Sequence, residues 1–220
     1  MTLQITKELV TTSTSSKPWD LGNQVLCGLC SDHFTHDNAH KIVAKTWLIG
    51  RTYAVALERR RNKTDINDNF YIDSVVPAFM TSKLDTILED LRNLELSIKN
   101  ASTLLECHSY LTELLKEITD LDKRSFSSKY LHFHCPSLFF IYDTRAVAAI
   151  KTFIPKLTKE IKEYISTLKV DKEYARFFFQ CLLLQKQIVD EHHTLLTPRE
   201  IDNLLVDTAN NKLINKKLTK

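Results

Sequence analysis

Apolar residues recur at three- to four-residue intervals along most of this chain, and that period is helical. Leu21, Val25, Leu26, Leu29 and Cys30 set the first stripe, over about Asp20 to Asp32. A long helix is predicted from Asp37 to Arg60, with Ile42, Val43, Trp47, Leu48, Val55 and Leu57 on one broad face. Gly50 is a costly residue inside it and marks the close approach of another group. After the polar segment 61–69, Phe70, Ile72, Val75, Val76, Phe79 and Met80 predict a short helix kinked at Pro77. Helices follow over Leu84–Lys99 and Ala101–Thr119, where Leu104, Leu105, Leu111, Leu114, Leu115 and Ile118 keep the helical period. Thr144–Ile154 then stops at Pro155, Leu157–Leu168 is amphipathic, and Val170–His192 is the most apolar long segment. Thr197, Pro198 and Glu200 form a capping box with proline at the first helical position, the start of a last helix.

Composition agrees with an all-α fold. Only 3 glycines and 5 prolines occur in 220 residues, whereas a β-rich chain needs glycine at its tight turns and bulges. A chain of this length buries a sizeable core, and residues 18–208 are read as a single helical domain of two intimate lobes. Residues 1–17 are polar and Thr/Ser-rich, a disordered leader; residues 209–220 are a basic tail that frays. The net charge of +3 is unevenly placed, with four lysines and no acid in ANNKLINKKLTK and a second basic run in ERRRNK. Such patches suit a polyanion, and equally the solvated end of a helix. Five scattered cysteines indicate reduced thiols in a cytoplasmic protein. No apolar run is long enough to span a bilayer, so a soluble monomer with no membrane partner is expected.

The chemistry concentrates in Lys123–Ala149, KRSFSSKYLHFHCPSLFFIYDTRAVAA. A turn over Lys123–Ser128 places small Ser125 and Ser127 around apolar Phe126, with Lys129 in the first turn of the next helix. Backbone N–H groups at that helix start are suited to an anion such as a DNA phosphate. A plain serine N-cap at Ser127 or Ser128 explains the same residues without a ligand. Asp143, at the start of the following helix, stays ionised through the helix dipole, or simply caps that helix.

These residues carry a resemblance. SFSSK resembles the Gly-apolar-Gly-x-Lys hairpin of the helix-hairpin-helix DNA glycosylase superfamily, and PSLFFIYDTRAVAAI is similar to the proline-to-aspartate segment that follows it there. The oxoguanine-type glycosylases look nearest, because they keep the lysine. Serines stand where that family has its hairpin glycines, and the Lys129–Asp143 interval is shorter by about one helical turn. The resemblance implies a two-lobed helical domain with a helix-hairpin-helix motif that excises a modified base from DNA without a cofactor. It implies Lys129 as nucleophile and Asp143 as electrostatic and proton-transfer residue. Bond cleavage builds oxocarbenium character, which a carboxylate stabilises, and the lysine must be neutral to attack C1′. A lysine that acts this way also makes the enzyme an abasic-site lyase.

A base reached by flipping needs an aromatic pocket with polar readers. Candidates are Arg51, Tyr53, Glu58, His132, His134 and Tyr142. Lys123, Arg124, Ser125, Ser127, Ser128, Arg59, Arg60 and Arg145 are the candidate DNA contacts, which makes binding fall with salt. A monofunctional glycosylase using water, and a non-catalytic module holding DNA or protein on the same fold, are the alternatives. The resemblance leaves open whether the role is DNA repair or antiviral defence against foreign DNA.

Two metal arrangements are set aside. Cys27, Cys30, His33 and His36 repeat every three residues, and on one continuous helix they drift around the axis and cannot surround an ion. His132, His134 and Cys135 with Cys107 and His108 have no better spacing. No Walker loop, GxGxxG or HExxH pattern occurs. Arg124 and His132 are too widely spaced for a small helical ribonuclease of the HEPN type.

Overall fold

The structure, a computed structural model, describes residues 3–59 and 69–218, with side chains as far as residue 211. Among the described residues every element is helical: eleven α-helices and one π-helical turn. They are α1 (Lys7–Thr14), α2 (Asp20–Asp32), α3 (Ala39–Thr52), the π turn (Tyr71–Val75), α4 (Val76–Thr81) and α5 (Leu84–Asp90). The second half holds α6 (Ala101–Thr119), α7 (Arg124–His134), α8 (Thr144–Phe153), α9 (Lys159–Thr167), α10 (Lys172–His192) and α11 (Pro198–Leu218). No helix among the described residues is long and apolar enough to cross a membrane.

The chain divides into two compact units. One comprises residues 18–96 and 100–139. Its central element is α7, which packs against α2, α3 and α6. Every side chain from Phe126 to His134 is buried there, so α7 has no solvated stripe over that span. Gly50 explains how α3 comes so close: a Cβ there would stand 3.1 Å from Ala56 Cα and 3.7 Å from the Phe126 ring. The close approach expected at this glycine is present.

Helix α3 ends at Thr52, eight residues before the position expected from sequence. Ala54 turns the chain at φ 54°, with Ala54 N–H bonded to Arg51 O at 3.2 Å and Val55 N–H to Gly50 O at 2.8 Å. That is a Schellman cap with alanine where glycine normally sits. A Cβ at positive φ costs about 1–2 kcal/mol. Ala54 is exposed, so Ala54→Gly loses no packing. It should raise stability by about 0.5–1 kcal/mol after the entropy gained by the unfolded chain is subtracted. Urea denaturation midpoints test this, and an unchanged or lower midpoint contradicts it.

The expected Leu84–Lys99 helix is also shorter. It stops at Asp90 because tertiary contacts override propensity: Leu91 is fully buried, and the Arg92 guanidinium lies 4.3 Å over the Phe34 ring.

The other unit comprises residues 1–17, 97–99 and 140–220. Helix α10 is its core, through Tyr174, Phe177, Phe178 and Phe179, and it packs against α8 and α9. Helix α11 packs against α8 and α1. The segment expected as a disordered leader therefore forms a helix, with Ile5 and Val10 buried. Asn203 donates to Ser13 O, and Lys17 pairs with Asp207 at 2.9 Å. Helix α11 begins as its capping box requires, Glu200 accepting from Thr197 N–H at 2.7 Å. Helix α11 runs on to Leu218, past the point where the basic tail was expected to begin.

Candidate functional site

Lys129 lies one turn into α7 and is 2% exposed. Its ammonium donates to Ser125 Oγ at 2.8 Å and stands 5.8 Å from the centre of the Tyr53 ring. Tyr53 is positioned by the cap that ends α3. It donates through its hydroxyl to Asn23 Oδ1 at 2.6 Å and packs on Phe133. Asn23 Nδ2 is buried without a hydrogen-bond partner. Four residues beyond the Ala54 turn, Glu58 accepts from the Tyr71 hydroxyl and pairs with Arg51. Burial, then the Glu58 carboxylate, push the Tyr71 phenol above its ordinary range. Lys129 and Tyr53, with Asn23 beside Tyr53, thus form one group within the unit. The chain signal for Asn23 was absent, because it sits on an otherwise ordinary amphipathic helix.

The turn before α7 is three to five residues earlier than expected. Asp120 makes it, at φ 53°, and α7 is already helical at Arg124. Ser127 and Ser128 are consequently not turn residues. They are fully buried, Ser127 Oγ accepting from Thr112 at 3.0 Å and Ser128 Oγ donating to Ser125 O at 3.0 Å. Both were expected as DNA contacts; in the structure Ser127 is held against α6 and Ser128 is bonded back onto its own helix. Lys123 donates to the carbonyls of Ala56 at 3.2 Å and Arg59 at 2.7 Å, holding the segment that follows Tyr53. Burial lowers the pKa of Lys123, with Glu58 opposing and Arg59 reinforcing. Arg124 and Ser125 are half-buried, and the Arg59 and Arg145 side chains are exposed. Arg60 lies outside the described residues.

Asp143 belongs to the other unit. It is the N-cap of α8, accepting from Ala146 N–H at 2.9 Å. Tyr142 beside it packs edge-on against Phe177.

His132 and His134, named as base readers, are both buried within α7. His132 Nδ1 bonds Phe139 O at 2.9 Å. His134 enters a polar cluster that no local pattern announces. Lys45, wholly buried, donates to three successive carbonyls, of His33, Phe34 and Thr35, at 2.7–3.2 Å. It also meets His36 Nε2 at 3.2 Å and His134 Nε2 at 3.3 Å. His36 Nδ1 contacts the Asp85 carboxylate, and its Nε2 lies 2.6 Å from the Tyr130 hydroxyl. His134 Nδ1 donates to Tyr130 O at 2.9 Å.

An ammonium facing both Nε2 atoms makes both rings acceptors there, so each is neutral with its proton on Nδ1. Burial and Lys45 lower His36 to about 4 despite Asp85, and the same two causes hold His134 well below its ordinary value. Burial lowers Lys45 itself to about 8. The consequence for stability has a definite sign. Above pH 6.5 folded and unfolded His36 are both neutral; below it the unfolded chain takes up a proton that the fold refuses. Stability should therefore fall as pH drops from 6.5 to about 4, by on the order of 3 kcal/mol from His36. Urea midpoints across that range test this; a flat profile contradicts the neutral assignment.

Compared with known proteins, the chain matches no family model, no curated protein and no solved structure.

Proposed function

We propose that this protein excises a modified base from DNA as a helix-hairpin-helix type glycosylase. Lys129 is the nucleophile on C1′ and Asp143 the carboxylate that stabilises the developing sugar cation and moves a proton. The observation that carries the reading is the setting of Lys129. It follows a tight turn between α6 and α7, is almost fully removed from water, and faces an aromatic ring. An amine nucleophile attacks C1′ in its neutral form, so the reading requires Lys129 to give up its proton in the site. The order of elements adds support: helix, turn, helix, connector, aspartate N-cap, helix. Tyr53, Asn23 and Arg51 supply a stacking face and polar groups of the kind that read an extruded base.

A non-catalytic DNA-binding module is the second reading. One observation favours it: the Lys129 ammonium is bonded back onto its own helix at Ser125. A screen of base release across duplexes carrying oxidised, alkylated and bulky phage-type bases separates the two. Excision predicts release from at least one of them. Salt-sensitive binding with no release from any overturns it in favour of the module.

A further inference from the structure

The unit that contains Asp143 holds an open cleft of about 750 Å³ between the C-terminal half of α8, α9 and the start of α10. Five cationic side chains line it, Lys151, Lys156, Lys162, Lys172 and Arg176, against one carboxylate, Glu173. Two of these cations are already engaged. The Lys172 ammonium caps α9 through the carbonyls of Ile165, Ser166 and Leu168, and Arg176 pairs with Glu173. Lys151, Lys156 and Lys162 are exposed at the cleft. Its walls are not those of a merely solvated surface. The Tyr142 ring, half-buried, stands edge-on to Phe177, and Pro155, Leu157 and Ile165 complete an apolar lining. Gln180 is nine-tenths buried with its amide nitrogen held by Ile154 O at 2.7 Å, which leaves the amide oxygen as the acceptor it offers a ligand.

We infer that this cleft binds a nucleoside phosphate, the phosphate on the three lysines and the base against Tyr142. Cations spaced around an aromatic wall are the recurrent answer to that ligand: the charges neutralise phosphate oxygens and the ring takes a base face of any identity. The volume suits one or two nucleotides. A simple anion would need the charges and not the aromatic wall; an apolar ligand would need the wall and not the charges. The nucleotide is part of a nucleic-acid strand or free in solution, and the two sources are separable. Tyr142 immediately precedes Asp143, and Lys151 lies on the helix that Asp143 caps, so a strand in the cleft runs along α8. The cleft does not depend on the excision reading, and its binding is measured without any chemistry.

The test is fluorescence anisotropy of a labelled short thymidine oligonucleotide on the full chain at low and moderate salt, with thymidine monophosphate as competitor. Binding should weaken steeply with salt. Lys156→Glu combined with Lys162→Glu should weaken it by about tenfold or more, and Tyr142→Leu by roughly tenfold, the loss of one stacked base. Lys159→Glu, on α9 outside the cleft lining, should change it less than about twofold. Competition by the monophosphate at comparable affinity assigns a free nucleotide; its failure assigns a strand. Equal loss in the Lys159→Glu control and the cleft variants, or no loss in Tyr142→Leu, overturns the site. In the wild type, intact cleft binding with no base release from any modified duplex sinks the excision reading alone. Lost cleft binding with base release retained sinks the cleft alone.

Discussion

Asp143→Asn should lower base release by about a hundred- to thousandfold while leaving DNA affinity within about twofold. The substitution is well controlled by the local structure. Asp143 accepts the Ala146 N–H as N-cap of α8, and asparagine caps a helix as well as aspartate does. The backbone and the side-chain oxygen therefore stay, and what disappears is the negative charge. A carboxylate that only caps α8 would give an asparagine variant with unchanged release. A carboxylate that faces a developing sugar cation would not, because an amide dipole cannot replace a full charge at short range. Affinity is the control, since the phosphate contacts that dominate it do not include this residue.

Lys45→Met should be the most destabilising single substitution considered, by about 3–5 kcal/mol. Methionine matches the length and fills the space, so the loss isolates hydrogen bonding. Lys45 serves three carbonyls after α2 and two imidazoles, contributed by the 33–36 loop and by α7. Without it those carbonyls are buried without a donor, each costing about 1–3 kcal/mol unless water enters. A second consequence follows from the same charge. Lys45 is one of the causes holding His36 and His134 below their ordinary range, so the variant should lose less stability than the wild type between pH 6.5 and 4. Chemical denaturation at both ends of that range measures both effects. A loss below about 1 kcal/mol would mean that the ammonium is dispensable to the packing.

The helix starts were the most legible part of this chain, because a cap is a local signal. Thr197–Glu200 and Asp143 both make the hydrogen bonds their residue types announce. The span of α6 was readable for a different reason, its unbroken leucine period between two polar ends. Helix ends were legible at Thr119 and His192, where α6 and α10 stop as expected; α3 was harder, because Ala54 turns it at positive φ with no glycine to announce the stop. The leader was misread because α1 owes its order to α11, nearly two hundred residues away. Burial of Ile5 and Val10 there is a tertiary fact with no periodic run behind it.

The chemistry divides the same way. Lys129 and Asp143 stood out because each sits at a helix start beside aromatic residues. Tyr53 was named as a pocket candidate on a continuous helix that in fact ends at Thr52. The Lys45 cluster draws on α3, the loop before it, α5 and α7, so no spacing rule reaches it. The cationic cleft was hidden by its neighbours in sequence. Lys162 lies between acidic residues on α9, and Lys172 and Arg176 flank Glu173, so the local charge reads as balanced. Only the packing of α8, α9 and α10 segregates the cations onto one wall.

Borohydride trapping on abasic DNA tests the role of Lys129 most directly. A lysine that attacks C1′ forms an imine that reduction converts to a stable protein–DNA adduct. Wild-type chain should be trapped and Lys129→Gln should not. Absence of an adduct in the wild type, or equal trapping in the glutamine variant, would contradict a nucleophilic role for Lys129.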